Sequence, residues 1–283
     1  MKKIISAICL ALALVCCFST TACGKKAKLA IGKEMIKYDS QLDALIKLNE
    51  GEVDACVIDS VMAGYYSTTG DLAGKVSMVE GIIDVQEEYG IAGRKNDKAF
   101  ISKINEALIA IANEDYAELN EAYGLEASAI VTGNTTNPLA NSSDDSWNTI
   151  VNSGKIVIGY TVFAPIAYMV DNKLTGYDIE LAQKVVEYLN ENYETNITLE
   201  FVEIDWDAKE TLLNGGTIDL IWNGLTITSE RSANMCISIP YLKNKQVVVV
   251  KTTDLEKYTT LESLKKVVVG VEKGSAGEDV VKG

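Results

Sequence analysis

Two short patterns each occur twice in this chain, and their order constrains the fold more than any other feature. Leu48-Asn49-Glu50-Gly51-Glu52-Val53-Asp54 matches Leu213-Asn214-Gly215-Gly216-Thr217-Ile218-Asp219. Lys155-Ile156-Val157-Ile158-Gly159 matches Lys266-Val267-Val268-Val269-Gly270. The first pattern reads as a helix end, a glycine free to take positive φ, and entry into an apolar strand. The second reads as a buried strand closed by a glycine turn. Each half of the molecule thus owns one copy of each element. After residue 146 the strand-glycine element comes first, whereas in the other pair it comes last. Joining residue 283 back to the region after residue 23 would put both pairs in one order. The simplest reading is a two-lobed α/β protein in circularly permuted order; a rearranged assembly or a decayed tandem duplicate is the rival.

Elsewhere, strands and helices alternate. Apolar runs predict strands at 34–38, 53–58, 155–159, 197–204, 218–222, 247–251 and 267–271. Apolar residues at helical spacing predict helices at 40–49, 98–113, 115–123, 178–190 and 206–213. Residues 132–145 are polar and turn-rich and read as a linker. The sequence Asp171-Asn172-Lys173-Leu174-Thr175-Gly176 reads as a hairpin turn, because the acid that a calcium loop needs later is Ala182. The pattern as a whole is α/β.

Charge and composition narrow the function. A formal net charge of −14 opposes contact with phosphate backbones, which excludes nucleic acid as a partner. The chain contains no histidine. That removes Ser-His and Cys-His nucleophile pairs and histidine metal sites, and neither cofactor nor metal is expected. Met1-Lys2-Lys3 followed by an apolar run over 4–18 suits a secretory signal over 1–22. Ser19-Thr20-Thr21-Ala22-Cys23-Gly24 resembles a bacterial lipobox, with Thr20 where an aliphatic residue is usual. Cys23 is then the lipid-anchor residue, and the chain sits on the outer face of the cytoplasmic membrane; otherwise cleavage near Ala22 leaves Cys23 a thiol. Cys56 and Cys236 lie in apolar strand-like runs and are expected as buried free thiols.

The stretch IDWDAKETLLNGGTIDLIWNGLTITSER (204–231) resembles the family 3 bacterial extracellular solute-binding proteins, which serve polar amino-acid ABC importers. VVVGVEKGSAGEDVV (267–281), YDSQLDALIKLNEGEVDACVID (38–59) and EEYGIAGRKND (87–97) are supporting matches. Residues 146–283 resemble the front of that family and 31–125 its back. The resemblance implies a type II periplasmic-binding-protein-like fold with the ligand cleft between two lobes. Its segments would be a second-lobe part at 23–87, a hinge strand and helices on the first lobe at 88–131, the linker at 132–145, the first lobe at 146–246, and a hinge strand with the start of the second lobe at 247–283. Arg94-Lys95-Asn96 and Lys243-Asn244-Lys245 flank the strands matching the hinge.

An amino acid presents a carboxylate and an ammonium on one carbon, so its site needs a cationic fork or N–H groups for one and oxygens for the other. The resemblance assigns the carboxylate to Arg231 with Thr226, and the ammonium to the Gly224 carbonyl and to Asp59 from the other lobe. Asp59 could equally cap the helix expected at 60–66. Gly274-Ser275-Ala276 follows a strand and opens a helix, so the N–H groups at Ser275 and Ala276 suit a carboxylate. Phe163 and Trp206 match positions that sandwich the ligand side chain, and Tyr160, Ile58 and Glu272 lie beside matched positions that tune selectivity. The implied function is that of a monomeric, lipid-anchored receptor delivering a polar amino acid to ABC permease subunits. The alternatives are a small enzyme on the same fold acting on a carboxylic acid, with Glu272 its one tempting general acid, and a ligand-sensing or non-functional rearranged fragment.

Overall fold

A computed structural model of the chain describes residues 29–83, 85–112 and 116–283. The expected leader and Cys23 lie outside the described residues. The strands are β1 Glu34–Tyr38, β2 Ala55–Asp59, β3 Val76–Val79, β4 Val85–Arg94, β5 Lys155–Tyr160, β6 Tyr168–Val170, β7 Lys173–Thr175, β8 Thr198–Glu203, β9 Leu220–Thr226, β10 Met235–Ile237, β11 Leu242–Lys251 and β12 Val268–Glu272. The α-helices are α1 Gln41–Glu50, α2 Ser60–Thr68, α3 Lys98–Ile111, α4 Tyr116–Ala122, α5 Ser146–Ser153, α6 Tyr177–Tyr193, α7 Lys209–Asn214, α8 Ser229–Asn234, α9 Leu261–Leu264 and α10 Ala276–Lys282.

The strand order is β1-β12-β2-β11-β4-β9-β5-β8, a near-mirror of itself about the β11–β4 pair. On one side β12 lies parallel between β1 and β2, and on the other β5 lies parallel between β8 and β9. The repeated patterns occupy equivalent places. Val269 pairs with Ala55 as Ile158 pairs with Leu220. Asp54 receives the Val268 N–H at 2.8 Å and donates its own N–H to the Val268 carbonyl at 2.9 Å. Asp219 does the same to Val157, at 3.0 and 2.7 Å. The repeated Asp therefore locks the start of one parallel strand onto its neighbour in each lobe. Ahead of it, Gly51 at φ 88° ends α1 and Gly216 at φ 74° follows α7, so both turns use the left-handed backbone that glycine tolerates.

The lobes are joined through β4 and β11. The first half of β11, from Leu242, pairs with β4, and the second half pairs with β2 and β3. Gln246 stands opposite both Asp59 and Val85. These crossing strands begin at Val85 and Leu242, ahead of the divisions expected at 88 and 247. The stretch Leu242-Lys243-Asn244-Lys245-Gln246 conceals its strand character because its inward residues Asn244 and Gln246 are polar and enter a hinge network, while the two lysines face outward.

Segments far apart in the chain complete one lobe together. The Ala30 N–H donates to the Val281 carbonyl at 2.9 Å, and β1 pairs with β12 over five residues. Ile31, Val269, Val271, Leu264 and Val281 share one buried cluster with Ala55, Val57 and Val248. Helix α1 buries only part of the face its periodicity predicts: Leu45 and Leu48 are buried, Leu42 is half-buried and Ile46 is exposed. Ser40 caps α1, which buries Ala44, Leu45 and Leu48. Helix α3 buries Phe100, Ile101, Ile104 and Leu108 in the same core as Leu181, Val185 and Leu189 of α6. Residues 132–145 contain no helix or strand, yet they are tied down: Asn137 bonds Ser102, and Asp144 receives the Ala99 N–H at 2.8 Å. Asp171 and Asn172, both at positive φ, form the two-residue turn between β6 and β7. Cys56 and Cys236 are buried free thiols.

Candidate functional site

The parallel strands of both lobes direct their carboxyl ends at one cavity, the place where open α/β sheets bind ligands. The eight residues assigned to the ligand line it: Asp59 at the end of β2, Phe163 after β5, Trp206 after β8, Gly224 and Thr226 on β9, Arg231 on α8, and Ser275 and Ala276 at the start of α10; Ile58 and Tyr160, expected to tune selectivity, are not among the lining residues. Gln41, Met62, Thr161, Val162, Asn223 and Glu272 complete the lining. The lobes are shut on it. Its volume is about 10 Å³, roughly that of one water, so entry of anything as large as an amino acid requires the lobes to part.

Arg231 is 7% exposed and donates to the Thr226 carbonyl of its own lobe at 2.8 Å and to the Gly274 carbonyl of the other at 3.3 Å. Thr228 accepts the Arg231 N–H and caps α8, which fixes where the side chain leaves the helix. Burial lowers the guanidinium's pKa. No carboxylate pairs with it within 4 Å among the described residues, so its fork can take an anion. Lys209 also reaches Gly274, donating to its carbonyl and to that of Trp206 at 3.0 Å each, with its ammonium 4.8 Å from the Trp206 ring centre. Burial first, then the Arg231 charge, brings Lys209 down to about 8. The sequence pattern missed Lys209, which looks like any surface lysine at the start of a short helix.

Asp59 occupies the N-cap position of α2, but its side chain makes no capping bond. Its Oδ1 instead accepts from Tyr89 at 2.8 Å, from Gln246 at 3.0 Å and from Asn244, and Gln41 donates to Oδ2. Glu87 accepts from Thr226, Asn244 and Gln246 at 2.9–3.1 Å. This network couples the cavity to both crossing strands, since Glu87 and Tyr89 belong to β4 and Asn244 and Gln246 to β11. Lys243-Asn244-Lys245, expected to flank a connecting strand, lie inside β11, and Asn244 is the one of the three whose side chain joins the network. Behind the site, Asp178 accepts the Gly224 N–H at 2.9 Å and the Tyr241 hydroxyl at 2.7 Å, holding Gly224 in place. The Ser275 hydroxyl caps α10, receiving the Glu278 N–H at 3.1 Å and donating to the Glu272 carbonyl at 2.8 Å.

Burial and the neighbouring Glu87 push Asp59 up to about 7. Burial and Asp59 push Glu272 up to about 8, and burial pushes Asp178 up to about 7. Such groups hold protons in the native state that the unfolded chain, with carboxyl pKa near 4, has already released. Native stability therefore falls as pH rises from about 4 through about 7–8. Glu278 has the opposite sign. Burial would raise it, but Lys282, Lys37 and the Gly274 N–H bring it down to about 2. Its contribution is lost only as pH falls toward that value, outside this window. The unliganded protein should melt ~5 °C or more higher at about pH 5.5 than at about pH 8, at ~2–4 °C per kcal/mol. A flat or reversed trend in calorimetric melting would contradict the charge assignment.

Residues 156–276 match the family model for bacterial extracellular solute-binding proteins, family 3. The chain is 30% identical over 131 residues to the probable ABC transporter extracellular-binding protein YckB of Bacillus subtilis (strain 168), covering 44% of each. It is 33% identical over 132 residues to a probable histidine-binding protein of Neisseria gonorrhoeae, covering 45% of this chain and 46% of that one. Among solved structures, an ABC uptake transporter substrate-binding protein from Streptococcus pneumoniae with bound histidine is 37% identical over 33% of this chain and 36% of that chain, with a TM-score of 0.28. The chain spans about half the length of the curated relatives it matches.

Proposed function

With residues 156–276 matching the family model of the bacterial extracellular solute-binding proteins, family 3, we propose that this chain binds a polar amino acid between its two lobes and passes it to an ABC permease in the membrane. The observation that carries this reading is the placing of an unpaired buried cation, Arg231, and a buried carboxylate, Asp59, on the two lobes around one closed cavity. A zwitterion needs that pair of opposite charges held apart, and the Gly224 carbonyl, Thr226 and the N–H groups at Ser275 and Ala276 add polar contacts for its carboxylate and ammonium. Phe163 and Trp206 wall in its side chain. Opening and closing turn on β4 and β11, whose hydrogen-bond network ends on Asp59 and Thr226, so closure and ligand contact are one event. The same residues offer no nucleophile–base pair, and binding rather than turnover is the reading they favour.

The two blocks, 29–131 and 146–283, complement each other within one chain as a circular permutant. The mirror order of the sheet, the matched Asp54 and Asp219 locks, and the Ala30–Val281 bond support this. Joined across that bond, β12, α10 and β1 would follow one another as β5, α6 and β8 do. The relatives named as amino-acid binders support the ligand class.

Cys23 carries the lipid that holds the receptor at the membrane. Cys23→Ser in the full chain should move the protein from the membrane fraction to the medium or periplasm, since one acyl chain alone binds marginally and two are usual. Equal membrane retention of the variant would contradict the anchor. The reading as a whole is tested by melting the purified protein against a panel of amino acids. At least one should raise the midpoint in proportion to the logarithm of its concentration, and a panel with no effect would contradict it.

A further inference from the structure

We infer that the bound amino acid carries a positively charged side chain, received by Glu272 and Asn223. This rests on the proposed reading of the cavity as a zwitterion site. Three ionisable side chains line that cavity: Asp59, Arg231 and Glu272, whose carboxyl gives up its proton when a cation stands beside it. The ligand's own ammonium and carboxylate account for Asp59 and Arg231, and Glu272 is left over. It is 4% exposed, and among the described residues no lysine or arginine pairs with it within 4 Å. Lys209, the buried cation nearest in sequence to Trp206, is engaged by two carbonyls and does not line the cavity. The two acids of the hinge network are already supplied with donors. Asp59 accepts four hydrogen bonds and Glu87 three, and the Gln41 amide nitrogen between Asp59 and Glu272 donates to Asp59.

Asn223 provides a second, independent observation. Its amide nitrogen donates to the Thr161 hydroxyl at 2.8 Å, while its Oδ1 is buried without a donor in a side chain only 2% exposed. A buried acceptor left unfilled costs free energy that a ligand donor recovers. The cavity thus offers a spare carboxylate and a spare amide oxygen between aromatic walls. A guanidinium or ammonium on an apolar stem fills all of these, and aromatic faces favour it further. A carboxylate side chain would meet Glu272 with like charge.

The test is calorimetric titration of the full-length protein and of Glu272→Gln with arginine, lysine, glutamine and glutamate, beside unliganded melting curves. Arginine or lysine should bind wild type at least ~30-fold more tightly than glutamine, the lower end of what a desolvated charge pair contributes. Glu272→Gln should remove most of that preference of the cations over glutamine. Glutamine or glutamate binding wild type as tightly as the cations would overturn the inference while leaving the amino-acid reading intact. An unchanged preference in a folded Glu272→Gln would overturn it in the same way. Should the variant melt too early to titrate, the wild-type ranking decides. Binding of none of the four would overturn the inference, and the cavity reading would stand or fall on the wider amino-acid panel.

Discussion

Arg231→Lys and Asp59→Asn should each weaken binding of the preferred amino acid by roughly 30-fold to several thousand-fold, the ~2–5 kcal/mol that follows loss of one partner in a desolvated charged contact. The lysine variant keeps its charge but not the planar fork. In wild type one arm of that fork reaches the Thr226 carbonyl and another the Gly274 carbonyl across the cleft. A lysine ammonium is a point charge that cannot present the paired, coplanar N–H groups a ligand carboxylate takes from the fork. The asparagine variant keeps the shape of Asp59 and the donors from Tyr89 and Gln246, but it has no charge to set against an ammonium. It also relieves the repulsion between Asp59 and Glu87 that helps raise the acid's pKa. Its unliganded melting temperature should therefore equal or exceed that of wild type. Calorimetric titration and unliganded melting separate the two effects. Binding within about twofold of wild type in both variants would remove the clamp, and early melting of Asp59→Asn without ligand would make Asp59 structural instead.

Gly224→Ala should be the most damaging small substitution at the site. Gly224 has φ 63°, and a Cβ there would lie 2.6 Å from the Phe163 ring and 3.3 Å from Tyr89. A left-handed backbone costs an alanine ~1–2 kcal/mol, and forcing a methyl into a packed interior adds ~1–3 kcal/mol. A fall of roughly 5–15 °C in melting temperature is expected, together with loss of binding, because the clash falls on a wall of the cavity and on the residue that Asp178 pins. Gly70→Ala is the control. Gly70 has φ 69° but nothing within 4 Å of its would-be Cβ, so that variant carries the backbone cost alone. Similar melting of the two variants would mean that the Phe163 contact is not tight.

Much of this arrangement was legible before any coordinates. The repeats at 48–54 and 213–219, and at 155–159 and 266–270, predicted two equivalent lobes, and they land in equivalent registers because buried parallel strands tolerate few other sequences. The eight candidate residues converge because they sit at strand ends, where topology rather than side-chain detail sets position. What stayed hidden has physical reasons. Gln41, Thr161 and Asn223 are small or neutral polar residues beside strand ends, with no spacing that separates a cavity wall from a turn. Glu87, Tyr89, Asn244 and Gln246 become a network only when β4 and β11 lie side by side, and their contacts with Asp59 and Thr226 span 30 to 187 residues of sequence. Lys209 and Asp178 sit in helices whose patterns read as ordinary amphipathic surfaces, yet both are buried. The helix over Ser146–Ser153 was missed because its apolar face is short, with Ile150 its one buried residue.

The most direct measurement is the stoichiometry and mass of the liganded protein: calorimetric titration of the full-length chain with each of the common amino acids, run beside light scattering of the same sample. One chain should bind one amino acid, and the scattering mass should be that of one chain rather than two, because blocks 29–131 and 146–283 of the same molecule build both walls of the cavity. No binding by any amino acid, or binding that appears only in dimers formed by exchange of those blocks, would contradict it.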